Sequence, residues 1–357
     1  MALYEYVHGG NHFDENGLTD NNIIDFSVNI NPLGISSAAV YAAQQAVAYA
    51  DAYPDFACRR LTAAIAGFEG VRADSILCAG GASDLIFRAV YAIKPKKMLI
   101  TTPSFSEYER AGKSAGAEIL FYSRRKEDDF KISSKIVQAI HEKEPGMVFI
   151  CNPNNPTGAL TNLDTIHEIG TACRRINAVL FIDECFLDFM PDTRLLSGKV
   201  LLNEYQNIVV VKAFTKIFAM PGLRLGYAIS ENESLLDRLR YAGADWAVSN
   251  VAQAAGVTAL LNCKEYIVKT VQYIRRERER MIRAFSDMGL TVYASSANFI
   301  FFHCGWHIDL HDALQKKGFR IRDCRNFKGL EPGYCRVAVL SKDKNTRLIE
   351  AMISLKR

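Results

Sequence analysis

Five short runs, apolar at every position, alternate with helix-period segments between residues 76 and 211, and this alternation leaves few folds open. The runs are Ile76-Leu-Cys78, Met98-Leu-Ile100, Met147-Val-Phe-Ile-Cys151, Val179-Leu-Phe-Ile182 and Ile208-Val-Val-Val211. A strand apolar on both faces must be covered on both faces, which is the habit of parallel sheets. Ser83 to Ile93 and Asp164 to Ile176 place apolar residues at three- and four-residue steps, the period of a helix with one buried side. The alternation predicts an α/β fold, a mainly parallel sheet covered by helices. Ligands of such sheets bind beyond the carboxyl ends of the strands. Asn155 and Asp183 follow strands directly and Lys216 lies a few residues past another, so the three are expected to face one crevice.

The pattern changes after about residue 263. A long amphipathic stretch, Glu265 to Met288, stops at Gly289; strand-like Asn298-Phe-Ile-Phe-Phe302, a helical segment from Asp309 to Lys317 and Cys335-Arg-Val-Ala-Val339 follow. These predict a small α+β domain over residues 264–357, behind a large domain over 36–263. Residues 1–35, rich in Gly, Asn and Asp, are expected to form an arm packed on the small domain. A chain of 357 residues exceeds the usual single core, which agrees with two domains.

Composition narrows the partners. The net charge of +4 is mild, and the densest basic stretch, Arg275 to Arg280, alternates with acids as a solvated helix face does, which argues against nucleic acid. Nine cysteines occur with no Cys-x-x-Cys pair, which suits thiols packed as small hydrophobes in a reducing cytoplasm. Met1 to His8 lacks a basic region followed by an apolar one, and no apolar run approaches the roughly 20 residues that span a bilayer, so no membrane partner is expected. His303 and His307 have a spacing that suggests a metal, but they lie on a strand-to-loop region without a nearby carboxylate ligand and read as structural.

Four groups in the middle of the chain fit one another chemically. They are Asn155 in Asn152-Pro-Asn-Asn-Pro-Thr-Gly158, Asp183 at a strand end, Lys216 in Lys212-Ala-Phe-Thr-Lys216, and Arg224 eight residues later. Pyridoxal phosphate needs an amine to hold its aldehyde, a carboxylate to keep its ring nitrogen protonated, an amide for its ring hydroxyl and an arginine for its phosphate. An arginine fork suits the phosphate because it donates two parallel bonds.

On these motifs the chain resembles the class I/II aminotransferase family of fold-type I pyridoxal-phosphate enzymes over nearly its full length. The resemblance implies that Lys216 carries the cofactor, Asp183 faces its ring nitrogen, Asn155 its phenolic oxygen and Arg224 its phosphate. It also implies a phosphate cup at Ala79-Gly-Gly-Ala-Ser83-Asp84, with Gly81, Ala82 and Ser83 as contacts, and adds Thr215 to the cofactor-binding set. Phe105 in Pro103-Ser-Phe-Ser-Glu-Tyr108 matches the aromatic that stacks on the ring. Tyr53 in Tyr53-Pro-Asp55 matches a tyrosine that reaches the phosphate of the neighbouring subunit, which implies a homodimer with a shared active site. Two positions depart from the family: Phe186 stands where many relatives have a tyrosine, and Ala213 where a serine or threonine is usual. Each removes about one hydrogen bond from the cofactor's polar shell, roughly 0.5–1.5 kcal/mol.

The ends of the chain point to one branch. His8-Gly-Gly-Asn11, Asp25-Phe-Ser-Val-Asn29-Ile-Asn31-Pro-Leu-Gly34 and Ile321-Arg322-Asp323-Cys-Arg-Asn326-Phe-Lys-Gly-Leu330 resemble the threonine-phosphate decarboxylases of cobalamin biosynthesis. The resemblance implies loss of the α-carboxylate from L-threonine O-3-phosphate to give (R)-1-amino-2-propanol O-2-phosphate. Serine O-phosphate is a competing substrate, and histidinol-phosphate aminotransfer is the alternative activity, since that family shares the central motifs. A substrate with a carboxylate and a phosphate needs cations beyond those on the cofactor. Arg336 and Arg322 are expected to supply them, with His8 and Asn31 completing the phosphate pocket.

Overall fold

The computed structural model describes residues 9–10, 22–261 and 263–356. Seven strands form the main sheet, in the order Ile76–Ala79, Gly226–Ile229, Ile208–Ala213, Val179–Asp183, Met147–Cys151, Lys97–Thr102 and Glu118–Ser123. All neighbours are parallel except Gly226–Ile229, which runs against both of its partners. All five apolar runs are strands of this sheet. Along Ile208–Ala213, Ile208 and Val210 pack into one hydrophobic cluster and Val209 and Val211 into the other, so both faces are buried. The edge strand Glu118–Ser123 has only partly buried residues between exposed ends, and for that reason it carries no continuous apolar signal. The helices Ala82–Ile93 and Leu163–Arg175 cover the sheet where the three- and four-residue steps placed them. Asn162 caps the second by accepting from the Thr165 N–H at 2.8 Å.

Beyond the 25-residue helix Cys263–Asp287 lies a four-stranded antiparallel sheet in the order Arg322–Asp323, Tyr334–Ala338, Phe299–His303 and Thr291–Val292. Ile24–Asp25 pairs in parallel with Phe319–Arg320, and the Ala338 N–H donates to the Phe26 carbonyl, so residues 24–26 join this part of the molecule.

A buried ionic group is built on Lys212, on the strand that leads to Lys216. Lys212 bridges Glu69 at 2.9 Å and Asp188 at 2.8 Å, while Lys199 and the Tyr227 hydroxyl, each at 2.5 Å, also bond Glu69. Burial pushes Glu69 up, but Lys212 and Lys199 outweigh it and hold the carboxyl down to about 2. Glu184, next to Asp183, accepts from the Ser197 hydroxyl at 2.6 Å and the Gly198 N–H at 2.7 Å. Its burial dominates instead, and its pKa rises to about 7. Between the ordinary value of 4.5 and 7 the folded chain therefore keeps a proton that the unfolded chain releases. The stability attributable to Glu184 falls as pH rises through that window and then stays level. Glu184→Gln, which imitates the protonated acid, is expected to flatten this slope, on the order of 3 kcal/mol across the window. Denaturant melts of both proteins between pH 5 and 8 check it; parallel slopes refute it.

Candidate active site

The carboxyl ends of the central strands open on a cavity of about 780 Å³. Strand Ile208–Ala213 breaks into the single helical turn Phe214–Ile217, and Lys216 on that turn lines the cavity. Its Nζ lies 5.7 Å from the Phe186 ring centre. Burial first, and then the charge of Arg336, push the amine down to about 8. A useful fraction is thus uncharged and nucleophilic near neutral pH.

Asp183, the last residue of its strand, stands in register between Cys151 and Val211. Its Oδ2 accepts from the Tyr108 hydroxyl at 2.7 Å and its Oδ1 from the Cys185 N–H at 3.0 Å. Burial and the Asp183 charge push the Tyr108 hydroxyl well above its ordinary range, so it remains a donor. Tyr108 is a site residue that sequence reasoning missed. Its signal was the three-residue step from Phe105, which puts both aromatics on one face where the helix Ser106–Ser114 begins.

Opposite lies the phosphate-cup segment. Gly81 caps the helix Ala82–Ile93 with φ +99°, and a Cβ there would come within 2.9 Å of the Arg224 Nη2. The guanidinium therefore hangs directly over this helix start, where backbone N–H groups favour an anion. Ala82, Ser83, Phe105, Thr215, Arg224 and Asn155 line the cavity; Gly81 sits behind them as the cap. Asn155 Oδ1 accepts from Arg336.

Arg336 and Arg322 are direct cross-strand partners in an antiparallel pair, and both line the cavity. Arg336 is buried, donates to the Ser27 carbonyl at 2.6 Å and lies 5.4 Å from the Phe299 ring. Burial lowers its pKa to about 10, which still leaves it charged at neutral pH. Arg322 donates to the Asp323 carbonyl at 2.6 Å and to Asn326 at 2.8 Å, and stacks 4.9 Å from Phe327.

Two expected residues, Asn31 and Tyr53, do not line this cavity. Asn31 is a correction: its Nδ2 donates to the Ile217 carbonyl, Tyr266 and Thr270 at 2.7–2.9 Å, and its Oδ1 accepts from the Leu33 N–H. Asn31 is fully occupied in clamping the Lys216 turn, and Asn29, two residues earlier, lines the cavity instead. The two asparagines lie on irregular backbone just after the bend at Ser27 and Val28, where no strand or helix period fixes which way each side chain points. Tyr53 is 82% exposed against Trp246 and does not reach the cavity of its own chain. His8 lies outside the described residues.

The residues fit pyridoxal phosphate. Among the described residues, Asn29 Oδ1, Ser104 Oγ and Arg336 Nε are buried polar atoms without a partner on cavity-lining residues, which marks a site built to take a polar ligand. The amine, carboxylate, amide and arginine required are all on its walls.

Comparison with known proteins agrees. The family model for aminotransferase class I and II matches residues 21–352. The chain is 34% identical to threonine-phosphate decarboxylase of Salmonella typhimurium over 99% of this chain and 97% of that one. It is 31% identical to histidinol-phosphate aminotransferase of Methanosarcina mazei over 94% and 89%. The crystal structure of the histidinol-phosphate aminotransferase from Clostridium acetobutylicum superposes with a TM-score of 0.87 at 29% identity, covering 94% of this chain and 99% of that one. The chain belongs to the aminotransferase class I and II family, whose cofactor is pyridoxal phosphate.

Proposed function

We propose that this protein decarboxylates L-threonine O-3-phosphate to (R)-1-amino-2-propanol O-2-phosphate, for the nucleotide loop of cobalamin. One observation carries the substrate class: Arg322 and Arg336 face each other directly across two strands on the cavity wall. Like charges at such a pair destabilise a sheet, unless an anion lies against them. With Arg224 engaged at the phosphate cup, Arg322 and Arg336 are the arginines on the described wall placed to meet a doubly anionic substrate. The 34% identity to a threonine-phosphate decarboxylase over nearly the whole chain favours this reading over aminotransfer.

In this reading Lys216 holds the cofactor through its amine, with Arg224, Ser83, Ala82, Gly81 and Thr215 around the phosphate, Asn155 at the ring hydroxyl and Phe105 against the ring. Pyridoxal phosphate, when bound, supplies the sink for the electrons of the broken bond. Asp183, steadied by Tyr108 and the Cys185 N–H, holds a proton on the ring nitrogen. Arg336 binds the carboxylate and sets its angle, and Arg322 and Asn29 bind the substrate phosphate, with His8 as a further donor. The Lys216 amine would be the group placed to return a proton to the α-carbon. Serine O-phosphate differs by one methyl, which a hydrophobic pocket discriminates by only about 1–3 kcal/mol.

The same reading makes the protein a cytoplasmic homodimer, with residues 1–35 as an arm, 36–263 as the large domain and 264–357 as the small one. Tyr53, Phe56 and Tyr49 are exposed aromatics on one segment, as a partner's site would require. No helix among the described residues is long and apolar enough to cross a membrane. Carbon dioxide release from O-phosphothreonine, with no 2-oxo acid added, is the expected result on purified protein. Strict dependence on a 2-oxo acid acceptor would instead establish the aminotransferase alternative.

A further inference from the structure

We propose that Lys328 is a specificity residue, a cation that moves from the Phe121 ring onto the phosphate of the substrate. The inference rests on the phosphorylated substrate argued above. Lys328 lies on the segment between strands Arg322–Asp323 and Tyr334–Ala338, and Phe121 lies on the edge strand Glu118–Ser123 of the main sheet. The Lys328 Nζ is 3.6 Å from the Phe121 ring centre, so one exposed side chain spans from the small sheet to the large one. Both residues line the cavity, on the same wall as Arg322 and Asn326. Gly329 follows with φ +87°, a left-handed turn that glycine adopts freely.

Charge decides what this lysine faces. Among the described residues, Asp183 and Glu109 are the carboxylates on the cavity wall, and Glu109 is paired with Lys113 at 2.5 Å. Among the described residues, the cations on the wall are Lys216, Arg224, Arg322, Arg336 and Lys328. Lys216 and Arg224 serve the cofactor and Arg336 the carboxylate in the reading above, which leaves Arg322 for a phosphate dianion. Arg322 already donates to Asp323 and Asn326. A second cation balances the dianion, and among the described residues Lys328 is the further cation on that wall. An exposed cation–π contact is weak compared with a charge-assisted bond to phosphate, so a phosphate ester draws the ammonium off the ring. A lysine suits this better than an arginine would, being a compact charge on a flexible stem.

The test compares wild type, Lys328→Met, Lys328→Arg and Phe121→Leu as holoenzymes. KM for O-phosphothreonine is one readout, and calorimetric affinity for inorganic phosphate is the other. Lys328→Met is expected to raise KM about tenfold and weaken inorganic phosphate by a similar factor, with kcat little changed, as for loss of one charged contact. Lys328→Arg should recover most of both, and Phe121→Leu should keep wild-type values because the cation remains. The proposal is overturned if Lys328→Met leaves phosphate affinity unchanged. It is equally overturned if Phe121→Leu matches Lys328→Met, since the ring contact would then be what matters. Failure of wild type to release carbon dioxide would count against the reaction alone; the inorganic phosphate measurement judges Lys328 separately.

Discussion

Lys216→Ala is expected to fold normally, to lose covalent retention of pyridoxal phosphate, and to lose at least about a thousandfold in turnover, since one general acid–base alone contributes roughly 10²–10⁴. Borohydride reduction followed by peptide mapping should find the cofactor on Lys216 in wild type and nowhere in the variant. An adduct on another lysine, or a variant that keeps the cofactor's visible absorbance after dialysis, would remove the basis of the functional reading. The pH dependence follows from the same side chain. Its amine sits near 8 in the folded chain against an ordinary 10.5. Capture of added cofactor by the cofactor-free protein should therefore accelerate as pH rises through about 8. The stability sign is opposite to that of Glu184: between 8 and 10.5 the unfolded chain binds the proton that the folded chain has released, so stability attributable to Lys216 rises across that interval. At neutral pH the desolvated ammonium is a cost, and the alanine variant without cofactor should melt no lower than wild type without cofactor.

The parts of this molecule that were legible in the sequence are those where one physical demand fixes residue type at several successive positions. Ile208 to Val211 read as a strand because both faces are buried, and Leu163–Arg175 read as a helix because one is. Gly226–Ile229 was missed because its four residues, Gly-Tyr-Ala-Ile, carry too little β-branched character to stand out, although both faces are buried. The order of strands decides which residues become neighbours, and order is not local. Asp183 could be recognised at a strand end, but its bond from Tyr108, 75 residues away on the helix that follows Lys97–Thr102, depends on Lys97–Thr102, Met147–Cys151 and Val179–Asp183 lying side by side. Asn31 could be recognised by its motif, but its partners Tyr266 and Thr270 lie 235 and 239 residues further along the chain, so its use as a clamp on the Lys216 turn is not a local property either.

Arg336→Ala carries the second large effect, and its value lies in separating two consequences of one guanidinium. Arg336 is buried, with donors committed to Asn155 and the Ser27 carbonyl and with its Nε still unpartnered on the cavity wall. Truncating one member of a buried, hydrogen-bonded charge pair costs about 2–5 kcal/mol, so kcat/KM for O-phosphothreonine should fall by about 30- to 5000-fold, chiefly through KM. Cofactor should stay bound, because Lys216, Asp183 and Arg224 are untouched; loss of cofactor would show that Arg336 belongs to the cofactor's own shell. The second consequence is electrostatic. Arg336 is the leading charge that lowers the Lys216 pKa after burial itself, so its removal should move the cofactor-capture profile above pH 8. Arg336→Lys divides the two: a retained charge keeps the capture profile near 8, whereas the lost planar fork leaves substrate affinity unrestored. If the lysine variant recovered both, the residue would act as a point charge only, and the carboxylate would need another group to set the angle on which decarboxylation depends.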